Sequence, residues 1–145
     1  MGLTDTVRAV LDHKGIGVCA VSPETPVYEA LEIMADKDIG ALLVMEDADL
    51  CGVFSERDYA RKVILQGKSS HDITVRDIMT GKVITVGPEQ TVEDCMALMT
   101  GKRIRHLPVI EGGRLAGLLS IGDLVKEVIA EQEATIKQLE SYIHS

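Results

Sequence analysis

Gly52-Val53-Phe54-Ser55-Glu56-Arg57-Asp58 and Gly117-Leu118-Leu119-Ser120-Ile121-Gly122-Asp123 set glycine, serine and aspartate at one spacing, twice in the same chain. These heptapeptides are the clearest part of a longer self-match. With Pro23 laid on Pro88, an offset of 65 residues, the stretch 17–66 runs along 82–131 without a gap. Roughly a third of the positions are identical, and a repeat of this length has to be read first because each copy is one supersecondary unit. Two similar units predict two similar sites.

Outward from the motif, each copy predicts strand, helix, strand, strand, helix. Residues 18–21 and 83–86 are short β-branched runs closed by Ser22-Pro23 and Gly87-Pro88. Thr25 as N-cap with Pro26 at the first helical position opens a helix in copy one. Thr91, with Asp94 three residues on, has the spacing of a capping box in copy two. Val27, Ala30, Leu31 and Met34 then step along one helical face, as do Val92, Cys95, Met96 and Met99. Apolar runs at 41–45 and 107–110 pass through turns at 46–49 and 111–114 into 50–54 and 115–119, predicting one hairpin per copy. Ser55 and Ser120 start the second helices, the first of which stops near Gly67.

Thr6-Val7-Arg8 echoes Thr74-Val75-Arg76, so a lead-in segment precedes each copy. The expected organisation is a lead-in at 1–16, repeat one at 17–66, a linker with lead-in at 67–81, repeat two at 82–131 and a helical extension at 132–145. Along the last helix, Val125, Ile129, Gln132, Ile136, Leu139 and Ile143 alternate steps of four and three, giving an apolar seam with one polar position that suits a partner helix.

Composition narrows the function. The chain has 145 residues, 46% apolar and 26% charged, an ordinary globular balance. No apolar run approaches the roughly 18 residues that a membrane span needs, and the N-terminal residues lack an apolar signal core, so a cytoplasmic protein without membrane association is expected. A net charge of −8 argues against a nucleic-acid polymer as partner, since such binding rests on neutralising phosphates, but leaves a small anion open. Cys19, Cys51 and Cys95 are odd in number, lack C-x-x-C spacing and align with Ile84, Ala116 and Ala30, which predicts buried structural thiols rather than disulfides or a metal site. His13, His71, His106 and His144 share no helical face, and neither a P-loop, metal-ligand spacing nor a Ser-His-Asp order is present, so no catalysis is expected.

Ser-x-x-Asp at a helix start reads first as a capping box, and the glycine as an aid to packing. A helix N-terminus also favours an anion, and an aspartate can accept hydrogen bonds from two adjacent ribose hydroxyls. The roles are compatible. Positive side chains gather beside both motifs, at Arg57, Arg61 and Lys62 and at Lys102, Arg103, Arg105 and His106. Pro108 withholds an N–H from its strand, which predicts an edge where a flat ligand meets backbone.

Val75-Arg76-Asp77-Ile78-Met79-Thr80, Ile104-Arg105-His106-Leu107-Pro108-Val109 and the two Gly-x-x-Ser-x-x-Asp copies together resemble the tandem CBS (cystathionine beta-synthase) domain pair, the stand-alone Bateman module. The resemblance implies an α/β (α+β) fold of two pseudo-twofold-related β-α-β-β-α repeats packed sheet to sheet, with two clefts that bind adenosine nucleotides. AMP is the first candidate ligand, with ATP, ADP, NAD or S-adenosylmethionine as alternatives, and no metal. Carried over by position, Asp58 and Asp123 hold ribose hydroxyls and Ser55 and Ser120 lie near ribose or phosphate. Backbone at Gly40-Ala41-Leu42 and Leu107-Pro108 meets the adenine edge, and Arg105, His106 and Arg57 serve the phosphate.

Arg105-His106 aligns with Gly40-Ala41, and Glu56-Arg57 with Ile121-Gly122, so unequal sites are expected. The reading is a non-enzymatic sensor of energy or redox state, a homodimer acting on an unknown effector protein in trans. The competing readings are a structural homodimerisation module with vestigial clefts and a small nucleotide-dependent enzyme.

Overall fold

The computed structural model describes residues 2–14 and 19–144. The chain divides into two compact units, Val18–Ile84 and, joined as one, Met1–Gly17 with Thr85–Ser145. It is a mixed α/β fold with two small sheets and, among the described residues, six α-helices.

In the first unit, β1 (Ala20–Val21) pairs parallel with β2 (Ala41–Glu46), and β2 pairs antiparallel with β3 (Asp49–Ser55). In the second unit, β4 (His106–Glu111) and β5 (Arg114–Ser120) form the matching hairpin. Each tight turn is built on positive φ: Asp47 at 56° in one, Gly112 and Gly113 at 58° and 78° in the other. Each hairpin also shifts register once, between Val44 and Met45 and between Val109 and Ile110, so the copies share even an irregularity.

The strand predicted at 83–86 reduces to a single parallel bridge, Val86 to Val109. Its counterpart in copy one, predicted at 18–21, forms at Ala20–Val21, while Val18 lies outside the described residues. The physical reason is Pro108. In copy one Leu43 N donates to Cys19 O at 3.1 Å. The residue at that place in copy two is Pro108, which has no N–H to give. Pro108 thus thins the sheet where it stands, although its carbonyl still accepts from Val86 N at 3.0 Å.

The helices are α1 (Val7–Lys14), α2 (Val27–Lys37), α3 (Glu56–Tyr59), α4 (Val75–Ile78), α5 (Val92–Lys102) and α6 (Ile121–His144). Thr91 caps α5 in a full capping box with Asp94. The cap predicted for α2 is corrected: Pro26, not Thr25, occupies the N-cap position, and no side chain caps it. Thr25 Oγ1 instead accepts from Ser22 N at 3.2 Å, while Val27 N donates to Ile73 O. After α3 the chain continues as a π-helical turn, Ala60–Ile64, and ends through Gly67 at φ 68°.

The lead-ins cross. Val75 N and Arg76 N donate to Thr25 O and Pro23 O in copy one, and Val7 N and Arg8 N donate to Gln90 O and Pro88 O in copy two. Arg76 pairs with Glu24 and Glu46, and Arg8 with their counterparts Glu89 and Glu111. Each lead-in therefore serves the copy that does not directly follow it. Burial repeats the same arithmetic: Val27, Met34, Leu42, Val44, Phe54 and Val75 are buried in one unit, and Val92, Met99, Leu107, Val109, Leu119 and Val7 in the other. Cys95 is fully buried where copy one has Ala30, whereas Cys19 and Cys51 are half-buried, and all three thiols are free. Burial, and then Asp94, pushes the Cys95 thiol up to about 11, which makes it inert at neutral pH.

Candidate functional site

Both motif glycines exist for the lead-ins. A Cβ on Gly52 would stand 2.7 Å from Thr80 O and 2.8 Å from Met79 Sδ, and one on Gly117 would stand 2.8 Å from Leu11 Cδ2. Only a bare backbone lets the lead-in lie this close to the last strand of each hairpin. Thr80 and Val53 exchange both backbone hydrogen bonds there, 2.9 Å and 3.1 Å long.

Both Ser-x-x-Asp steps form the expected caps. Asp58 N donates to Ser55 Oγ and Ser55 N to Asp58 Oδ2, at 3.2 and 3.1 Å. Asp123 N donates to Ser120 Oγ at 3.2 Å and Ser120 N to Asp123 Oδ2 at 2.8 Å. The caps open different helices, because α3 holds four residues and α6 holds 24. Ser120 therefore stands at the positive end of a long helix dipole, and Ser55 does not.

The two carboxylates differ more sharply in what else grips them. Asp58, 9% exposed, also accepts from Ser55 Oγ at 3.1 Å and from Thr80 Oγ1 at 3.2 Å, and its Oδ1 lies 3.2 Å from Lys62 Nζ. Of the roughly four lone-pair sites of a carboxylate, three accept hydrogen bonds here, and Lys62 adds an ion pair on Oδ1. Asp123 receives Ser120 N and Lys14 Nζ, the latter at 2.7 Å, both on Oδ2. Its Oδ1 has no hydrogen bond among the described residues. Burial pushes the Asp123 carboxyl up, but Lys14 and Ser120 together outweigh it and hold the group below its ordinary value of 3.8. Asp123 is a charged acceptor with one oxygen open.

The His106 imidazole is kept below its ordinary 6.5, first by burial and then by the charge of Lys14, with Asp123 opposing and Arg105 adding to the depression. Lys14, Asp123 and Arg105 thus each act electrostatically on His106. Asp123 also lines a recess of about 300 Å³, together with Val10, His13, Lys14, Lys126 and Glu127.

Of the residues expected from sequence, Arg105, His106, Leu107, Pro108, Ser120 and Asp123 fall in one unit and Gly40, Ala41, Leu42, Ser55, Arg57 and Asp58 in the other. Arg105 O and Gly40 O take equivalent hydrogen bonds from Ile121 N and Glu56 N, which ties the start of each hairpin to its motif. Ala41, Leu42, Leu107 and Pro108 are buried, Leu42 and Leu107 completely. Arg57 and Arg105 are exposed. Sequence reasoning missed Lys14 and Thr80 as partners of the two aspartates. Lys62 was legible, lying four residues after Asp58 on one helical face, but Lys14 is 109 residues from Asp123 and belongs to neither motif.

The CBS domain family model matches residues 7–64 and 75–130. The chain is 45% identical over 122 residues to the mitochondrial CBS domain-containing protein CBSX3 of Arabidopsis thaliana, covering 81% of itself and 59% of that relative's length. Among solved structures, the CBS domain protein NE2398 is 49% identical with a TM-score of 0.84, over 87% of this chain and 98% of that one. The CBS domain pair of protein MJ0100, crystallised with 5′-methylthioadenosine and S-adenosyl-L-methionine, shares the fold at a TM-score of 0.77 and 23% identity, over 88% and 98%.

Proposed function

From the premise that the chain belongs to the CBS domain family, we propose that it is a regulatory module that binds an adenosine nucleotide without turning it over, at two unequal sites marked by Asp123 and Asp58. AMP is the first ligand to test, ahead of ATP, ADP, NAD and S-adenosylmethionine. The observation that carries the reading is the Asp123 carboxylate, ionised, with no hydrogen bond on Oδ1 among the described residues, paired with Lys14 and part of the cap whose Ser120 lies opposite His106 in the hairpin. An acceptor for a ribose diol next to a cation for a phosphate is the pair of features that a nucleotide needs. MJ0100 supports the adenosine part of the reading at the level of the shared fold, its two ligands carrying no phosphate. Ligand binding becomes a signal to an effector protein only if it favours one of two states of the module.

Calorimetry with AMP tests the assignment. Asp123→Asn is expected to weaken binding about thirtyfold and Asp58→Asn by less than about threefold, since a hydrogen bond to a charged group is worth a few kcal/mol and Asp58 is already held by three hydrogen bonds and an ion pair. Equal losses, or none, would overturn it. Turnover of AMP by the pure protein would overturn the non-enzymatic reading.

A second part of the proposal rests on α6. Val125, Ile129, Ile136, Leu139 and Ile143 are all exposed along it, and we assign this seam to a second copy of the chain. Isoleucine and leucine at heptad core positions favour a two-stranded coil, in which Gln132 meets its own symmetry mate. Truncation after Glu131 is expected to yield a monomer that binds AMP unchanged. A monomeric mass for the intact chain would overturn the pairing.

A further inference from the structure

Lys14 is the last residue of α1, and its ammonium reaches two acceptors, Asp123 Oδ2 and Leu118 O, each at 2.7 Å. The helix that carries it is anchored by Val7 and Val10, both buried, and by Leu11 lying over Gly117. Copy one has no such device. There the lead-in is helical only over Val75–Ile78 and turns extended at Met79, so a threonine hydroxyl, Thr80 Oγ1, arrives at the aspartate instead of a charge. Lys62, the cation that does reach Asp58, comes from α3's own continuation, and its ammonium also donates to Ile78 O at 3.0 Å.

A ribose diol that is to be held by both oxygens of one carboxylate needs Oδ2 as well as Oδ1. In copy two the donor in the way is Lys14, since the Ser120 N–H on Oδ2 is part of the helix cap and stays. A lysine ammonium is a compact charge on a flexible stem, so it can leave Asp123 without moving the helix. Once displaced it needs a new anion, and a phosphate attached to that ribose, met by the exposed Arg105 guanidinium, supplies one.

We propose that Lys14 is a specificity-determining residue of the Asp123 site, which surrenders the carboxylate to the ribose hydroxyls and takes the phosphate in exchange. This rests on the nucleotide reading above and adds a discrimination to it. A nucleotide replaces one ion pair with another, whereas a nucleoside strips Lys14 of its partner and offers nothing in return. The site accordingly selects phosphorylated ligands through a residue outside both repeated motifs.

The test is titration of AMP and of adenosine against the full chain and its Lys14→Met variant, with circular dichroism to confirm that the apolar replacement keeps α1 folded. In Lys14→Met, AMP is expected to bind about tenfold more weakly and adenosine as well as before or better, so the preference for AMP drops by about tenfold or more. Lys126→Met, a change on the same recess at a cation that is not on Asp123, is expected to leave that preference within about threefold. Parallel losses for both ligands in Lys14→Met, or an unchanged preference, overturn the exchange while leaving the nucleotide site standing. If the unaltered chain binds neither AMP nor adenosine, the nucleotide reading fails and this inference with it.

Discussion

The two copies use one motif for the same local task and put it to different use. Gly-x-x-Ser-x-x-Asp closes a hairpin onto a lead-in and caps a helix in both. In copy one the aspartate is largely consumed by that task, with three hydrogen bonds and an ion pair on its two oxygens. In copy two it is left half-engaged, held by a cap and a lysine on one oxygen. The motif is the shared scaffold, and the copies part in what each lead-in brings to it, a backbone bridge and a hydroxyl from Met79-Thr80 or a helix and an ammonium from Leu11 and Lys14.

The glycines offer the largest test of that difference. In Gly52→Ala the new methyl meets a backbone carbonyl oxygen, Thr80 O, that is itself fixed by two hydrogen bonds to Val53, so the lead-in has to be pushed off the strand. In Gly117→Ala it meets the methyl end of Leu11, which can change rotamer. We expect Gly52→Ala to cost about 3 kcal/mol and Gly117→Ala about 1 kcal/mol in chemical denaturation. Equal costs would mean that the two lead-ins are gripped alike, and the contrast drawn between them would fail.

Much of this was legible in advance. The repeat, the hairpins, the second helices and the capping role of Ser55 and Ser120 all follow from short-range pattern, because caps and tight turns are set by residues a few positions apart. The misses have a common cause. Thr25 did not cap α2, because Val27 N is answered by Ile73 O from the crossing lead-in. The strand at 83–86 shrank because Pro108, a residue on its neighbour, lacks an N–H. Lys14 escaped notice as a partner of Asp123 because nothing in the chain near Asp123 points to it. The lead-ins repeat at a different offset from the copies they serve, and a sequence echo does not say which copy a segment will fold against. The homology of the motifs could suggest two ribose acceptors, but which carboxylate is spare depends on contacts that span the chain.

The smallest expected effect is a pH response confined to one copy. His106 sits where copy one has Ala41, so only the second unit carries a titrating group at this place. Burial, with help from the charge of Lys14 and Arg105, lowers its pKa from 6.5 in the folded protein. The folded state thus binds fewer protons than the unfolded chain. Its contribution to stability is complete above pH 6.5 and is lost as the pH falls through the folded value. Asp123, held below 3.8, stays ionised across this window and does not blur it. Amide protection factors along β4 and β5, the exchange rates corrected for their intrinsic pH dependence, are therefore expected to fall between about pH 7 and about pH 5.5, while β2 and β3 change less. A bound phosphate reverses the sign, since it favours the imidazolium, so as the pH falls over the same range the unaltered chain should gain affinity for AMP relative to His106→Ala, by less than about tenfold, a comparison in which the phosphate's own ionisation near pH 6 cancels. His106→Ala, which gives copy two the residue of copy one, is expected to abolish the loss of protection and to leave only the ligand's own pH dependence of binding. If the loss of protection survives that substitution, His106 is not its source, and the electrostatic inequality of the two sites would have to rest on Lys14 and Arg105 alone.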